Sequence, residues 1–346
     1  MTPDPSILIV RLGALGDVVH AMPVVSALRA AWPGARVGWL VQASYGDLVR
    51  QVEGVASVHV VRGAFDVAAV REVRAMGYDI CLDLQGLMKS AAYARASGAR
   101  RVIGFSRDLA REPLATLGYG ETGGRPGGHV VQKNLSLLRR LGLTPSGLPV
   151  VHLDVPTSDV LSSSRTLLGG ETVPFALLNP GAGWPNKRWP AERFGALADK
   201  VLAAHGLRSL VLWGPDEASL AAAVVRASGG AAVMAPQSGI LDILALARAA
   251  AVVVAGDTGP LHLGAAVGAR LVGLFGPTPP ERNGPWAPDD RCVSRHAECR
   301  CVFKRACTSE TWCLGQVTVD DVAEAVALRL GEATGRDPRL GEARPT

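Results

Sequence analysis

Five short stretches of this 346-residue chain collect residue types that do chemistry. The first is Arg11-Leu-Gly-Ala-Leu-Gly-Asp17, directly behind an apolar run. Gly13 and Gly16 allow a tight turn and a close approach of backbone to ligand. Asp17 has two readings: an acid capping a helix or favoured in its first turn by the dipole, or a carboxylate that takes a proton. The spacing is Gly-x-x-Gly and not Gly-x-Gly-x-x-Gly, which disfavours a dehydrogenase. The second stretch, Asp83-Leu-Gln-Gly-Leu-Met-Lys-Ser90, gathers Asp83, Gln85, Lys89 and Ser90, with Arg111-Glu-Pro downstream. A solvated loop accounts for it equally well.

The third stretch is Asn179-Pro-Gly-Ala-Gly-Trp-Pro-Asn-Lys187-Arg-Trp-Pro190. Backbone N–H groups together with Lys187 make an anion site suited to a diphosphate, or the stretch is a plain turn. It is not a P-loop, because no Gly-Lys-Ser/Thr occurs. The fourth, Gly256-Asp257-Thr258-Gly259-Pro-Leu-His262, presents an acid, a hydroxyl and N–H groups at a helix start, with Gly276-Pro-Thr278 after the next strand. There His262 is a phosphate or ribose contact, or a structural histidine. The fifth is Cys299-x-Cys301-x5-Cys307-x5-Cys313, with Cys292 nearby. Metal binding, redox-labile thiols and ordinary packing are all open for these cysteines, whose spacing is not that of a standard zinc finger.

Such residues need elements to hold them. Apolar runs predict strands at Ile7–Arg11, Arg36–Val41, Ser57–Val61, Ile80–Leu84 and Arg101–Gly104, then at Phe175–Asn179, Ser209–Trp213, Ala231–Met234, Val252–Ala255 and Leu271–Phe275. Ala/Leu/Arg-rich segments between them, such as Val24–Ala31, Ala191–His205 and Ile240–Ala250, predict helices. This alternation implies α/β architecture with parallel sheets covered on both faces. Two sets of about five strands imply two similar domains, 1–155 and 174–330. The linker falls in Gly142–Pro174, a last helix covers Val319–Leu330, and 331–346 reads as a loose tail. Ligands of such sheets bind at the carboxyl ends of strands, so the active site is expected in an interdomain cleft.

Composition narrows the function. With 48% hydrophobic and 19% charged residues, the chain is a compact α/β protein and not a disordered one. The net charge of +5 suits an anionic small partner or surface, and without a long Lys/Arg block nucleic acid is not expected. No apolar run reaches the roughly 18 residues of a membrane span, and no basic region precedes Ile7. A cytoplasmic location follows as an expectation.

Taken in order, Leu15-Gly-Asp-Val-Val-His-Ala-Met-Pro23, Asp83-Leu-Gln-Gly-Leu-Met-Lys-Ser-Ala91, Arg111-Glu-Pro-Leu-Ala115, Asn186-Lys-Arg-Trp-Pro190, Asp257-Thr-Gly-Pro-Leu-His262 and Gly276-Pro-Thr278 resemble the lipopolysaccharide heptosyltransferase family, glycosyltransferase family 9. The second and third look most like its heptosyltransferase I branch. The resemblance implies a GT-B fold, two Rossmann-like doubly wound domains, and inverting transfer of heptose from ADP-heptose to the Kdo sugar of the lipopolysaccharide inner core, without a cofactor or essential metal. By that resemblance Asp17 is the base, and Lys187, Asp257, Thr258, Gly259 and His262 hold the ADP-sugar. Gln85, Lys89 and Arg111 face a lipid A–Kdo acceptor at the inner face of the inner membrane. Where that branch resembles Thr-Thr, this chain has Ala182-Gly183, so backbone N–H groups substitute. Other readings are a family member with another nucleotide sugar or acceptor, a nucleotide-sugar epimerase, and a non-catalytic nucleotide-sugar binding protein.

Overall fold

A computed structural model describes residues 4–331, apart from 146, 148, 149, 310 and 311. The tail expected to be loose, 331–346, lies outside the described residues except for Gly331. The chain divides into two compact units, 1–156 and 157–346.

In the first unit, six strands form one parallel sheet: β1 (Ser6–Val10), β2 (Arg36–Gln42), β3 (Val55–Val61), β4 (Ile80–Asp83), β5 (Arg101–Phe105) and β6 (Glu121–Gly123). Strand β1 is buried along its whole length. Crossover helices cover both faces of such a sheet, so a central strand reads as a continuous apolar run. Each of Ile7, Leu8, Ile9 and Val10 is fully buried, a contribution of roughly 1.5–3 kcal/mol per side chain. The strand order is β3-β2-β1-β4-β5-β6. Its direction reverses between β1 and β4, and a reversal of this kind opens a crevice at the strands' carboxyl ends.

The second unit repeats this plan with β7 (Phe175–Asn179), β8 (Arg208–Val211), β9 (Ala232–Met234), β10 (Val252–Gly256), β11 (Leu271–Phe275) and β12 (Arg291–Ser294). Its order, β12-β11-β10-β7-β8-β9, is the same doubly wound arrangement read from the other edge, and the switch point lies between β7 and β10. Helix Ala191–His205 packs Phe194, Leu197, Ala198 and Val201 into the core and ends at left-handed Gly206.

Each sheet has six strands where about five were expected. The additional ones, β6 and β12, are edge strands with sequences Glu-Thr-Gly and Arg-Cys-Val-Ser, which carry no apolar run. The segment read as a linker contains helix Asp159–Leu168, capped by Ser158, whose Oγ accepts from Leu161 N at 3.1 Å. Leu168 of that helix joins the second unit's core. Among the described residues no helix is long and apolar enough to cross a membrane.

Candidate functional site

Polar residues collect at both switch points. In the second unit, β7 ends at Asn179 and β10 at Gly256, and the loops that follow carry Lys187 and Asp257. Lys187 Nζ donates to Asp257 Oδ2 at 2.6 Å and to the Asp257 carbonyl at 3.3 Å. His262 Nε2 lies 3.2 Å from Oδ1. Thr278 Oγ1 and Asn283 Nδ2 donate to Oδ2 at 2.7 and 3.3 Å. Burial alone would push the Asp257 carboxyl up, but His262 and Lys187 outweigh it and hold the group well below the usual carboxylate range. Asp257 is therefore an ionised anchor that orients a lysine and a histidine. A Cβ on Gly256 would come within 2.9 Å of the Lys187 carbonyl, so this glycine lets the Lys187 loop lie against the strand end.

Other expected donor groups lie on the loops after the same two strands. Asn179 Nδ2 donates to Thr258 Oγ1 at 3.1 Å, and Thr258 Oγ1 to the Gly256 carbonyl at 3.2 Å. Gly259 opens helix Gly259–Ala266, and His262 lies on its first turn. Ala182 is buried, and its carbonyl accepts from Arg188 Nε at 2.9 Å. A Cβ at Gly183 would meet nothing within 4 Å, so open space lies beside it. Lys187 Nζ also lies 4.6 Å from the centre of the Trp184 ring.

In the first unit the loops after β1 and β4 are laced together. Gln85 Oε1 accepts from Leu12 N at 2.7 Å, and Trp39 Nε1 donates to the Arg11 carbonyl at 3.2 Å. Asp17 lies in the first turn of helix Leu15–Val19 but does not cap it; the N-cap position is Ala14. Its Oδ2 instead takes Arg11 at 2.7 Å and Arg111 at 3.2 Å. Burial works against the Arg11 guanidinium and lowers its pKa, while the charge of Asp17 opposes that shift. Arg111 is 54% exposed, so one arginine anchors Asp17 from the protein side and the other from solvent.

Asp83 is fully buried and accepts from Gln85 N, Gly86 N, Ser90 Oγ and Tyr119 Oη at 2.8, 3.2, 2.7 and 2.8 Å. Burial pushes its carboxyl up against these bonds. Its contacts shape the loop. Gly86 has φ +71°, and a Cβ there would come within 3.2 Å of the Arg111 backbone, so this glycine brings Arg111 up to the strand end. Lys89 stands apart from the Asp17 group, with Nζ donating to the Gly63 carbonyl at 2.9 Å. Gly13 abuts protein, since a Cβ there would lie 2.9 Å from Gln42 Oε1. Gly13 and Gly16 belong to the first unit and the other expected donor residues to the second.

Sequence reasoning assigned no role to Arg11 or Asn283. An arginine directly behind an apolar run was a usable signal for the first. Asn283, at the end of the short helix Pro280–Asn283, gives none. All four clustered cysteines line one cavity of about 270 Å³ in the second unit.

The profile of glycosyltransferase family 9 (heptosyltransferase) matches residues 67–313. Lipopolysaccharide heptosyltransferase 1 of Pseudomonas aeruginosa is 28% identical over 326 residues, covering 87% of each chain. The Escherichia coli K12 protein of the same name is 29% identical over 296 residues, 79% of this chain and 88% of the relative. Among solved structures, a family 9 glycosyltransferase from Veillonella parvula superposes with TM-score 0.80 at 20% identity, covering 96% of this chain and 99% of that one. Escherichia coli heptosyltransferase WaaC with ADP-2-deoxy-2-fluoro heptose gives 0.73 at 24%, covering 92% and 98%. Two doubly wound units in one chain, as in these structures, are the GT-B fold. The fold and the profile agree, and the chain belongs to glycosyltransferase family 9, the heptosyltransferase family.

Proposed function

We propose that this protein is an inverting glycosyltransferase that moves heptose from ADP-heptose to the Kdo-bearing inner core of lipopolysaccharide. The observation that carries the reading is Lys187 held by ionised Asp257 at the second unit's switch point. An ammonium has three donors, and Asp257 engages two, which leaves one for a diphosphate oxygen. Thr258, Gly259 and His262 complete the donor site, with backbone N–H groups at Ala182 and Gly183 in place of side-chain hydroxyls. As ADP leaves, Lys187 and these dipoles stabilise its charge, so no divalent ion is required. Asp17 takes the proton of the acceptor hydroxyl as the new bond forms. Arg111 binds a Kdo carboxylate, its planar fork suited to bidentate contact, with Lys89 and Gln85 alongside.

The acceptor is lipid-anchored, and the first unit suits an anionic inner-membrane surface reached from the cytoplasm. Residues 1–156 hold 17 Lys/Arg against 12 Asp/Glu, whereas 157–346 hold 19 against 19, so the net +5 belongs to the first unit. Phe65, Met88, Leu114 and Leu117 are exposed there, and bonds from Lys89 to Gly63 and from Met88 N to Glu112 join the segments that carry them. The decisive experiment incubates purified protein with ADP-heptose and a panel of Kdo-bearing acceptors and reads the products by mass. A heptose-mass increment on acceptor is expected. Turnover of donor without acceptor would indicate an epimerase, and donor affinity without turnover a binding protein; either overturns the reading.

A further inference from the structure

Cys299, Cys301, Cys307 and Cys313 take no part in the proposed transfer, yet they are gathered around one cavity. Cys299 Sγ lies 3.7 Å from Cys301 Sγ. Cys313 interacts with Cys299, and Cys307 with Cys301. All four are free thiols around one cavity, with Cys301 and Cys313 buried. Cys301 also faces a donor, the buried side chain of Asn186, whose Nδ2 lies 3.7 Å from Sγ and 2.9 Å from the Lys304 carbonyl.

We propose that Cys299, Cys301, Cys307 and Cys313 form a tetrathiolate site for one zinc-class metal ion. The chemistry fits on three counts. Sulfurs about 2.3 Å from a tetrahedral zinc lie about 3.8 Å from each other, the spacing already present between Cys299 and Cys301. The Asn186 amide on Cys301 is an outer-shell donor of the kind that orients a metal ligand. Four thiolates around a divalent ion leave two negative charges, and Arg300, Lys304 and Arg305 within the same segment offset them. Among the described residues no three ligands already close round a single point, so binding draws the remaining thiols inward. Asn186 ties the site to the loop that carries neighbouring Lys187.

The test measures bound metal in full-length protein, kept reduced, as isolated and after incubation with Zn²⁺ and dialysis. About one zinc or iron per chain is expected. Co²⁺ in its place should give the strong sulfur-to-metal band of a tetrahedral thiolate complex. Cys299→Ser with Cys301→Ser should cut bound metal about tenfold, and chelator should lower the thermal midpoint of wild type alone. Less than about 0.1 equivalent after Zn²⁺ incubation, with all six cysteines titrating as free thiols, overturns the site. So does a non-reduced sample in which fewer than six thiols titrate in denaturant after metal is stripped, since that reports a disulfide. None of these readings uses a sugar donor, so they stand apart from the proposed transferase activity.

Discussion

The two units share one strand order, and both place a carboxylate between cations at the switch point, yet the two carboxylates live in different surroundings. Asp257 is 4% exposed and held by Lys187, itself 14% exposed. Asp17 is 26% exposed, and one of its arginines is more than half exposed. Topology fixes where a charged loop emerges; burial decides what the charge does there. A buried, doubly partnered carboxylate cannot give up its place and serves as an anchor. A partly exposed one with a partner in solvent can be reached from outside, which is what the proposed role of a base requires. The same contrast holds at larger scale, with the charge surplus confined to the first unit.

The sharpest way to break this comparison is to neutralise each carboxylate in turn. Asp17→Asn should fold normally, bind donor and lose about 10²–10⁴-fold in turnover, because it keeps its shape but cannot take the proton. Near-wild-type turnover would leave the proposed mechanism without a base. Asp257→Asn should instead cost stability, about 3–5 kcal/mol, because Lys187 is left without its counter-charge; denaturant melts of both variants make the contrast direct.

The pH dependence of that cost has a defined sign. Asp257 has a depressed pKa in the folded state, so its contribution is fully present above the unfolded carboxylate value, about 4. The midpoint gap between wild type and Asp257→Asn should therefore stay constant from pH 7 down to about 4 and narrow only at lower pH. A gap that closes between pH 7 and 5 would contradict the anchor.

Smaller effects sharpen the assignment. Lys187→Ala should weaken ADP binding by tens of fold, as one charge-assisted contact is worth roughly 1.5–3 kcal/mol; titration calorimetry reads it, and unchanged affinity would remove Lys187 from the donor site. Arg111→Ala should raise the acceptor KM several-fold and leave ADP affinity within about twofold, since its side chain is largely in solvent. Least of all, Gly183→Thr should leave the thermal midpoint almost unchanged, because a Cβ there meets open space. A rise in donor affinity in that variant would show that a hydroxyl is useful at this position.

Much of this molecule is legible from local pattern. Buried runs such as Ser6–Val10, Phe175–Asn179 and Leu271–Phe275 mark the parallel strands, and helix Ala191–His205 follows from its periodicity and its closing glycine. The chemistry-bearing loops follow because each sits directly behind such a run. Edge strands β6 and β12 escape, since pairing on one side only needs no apolar sequence. What the sequence determined is the set of strands and the residues at their carboxyl ends. Tertiary structure alone decided which of those residues meet: Arg111 with Asp17 across 94 positions, Lys187 with Asp257 across 70, and Asn186 with Cys301 across 115. Periodicity reports only neighbours a few residues apart, whereas these contacts depend on which strands lie side by side. That order is set by long crossovers, and so are the burial and partners that make one aspartate an anchor and leave the other open.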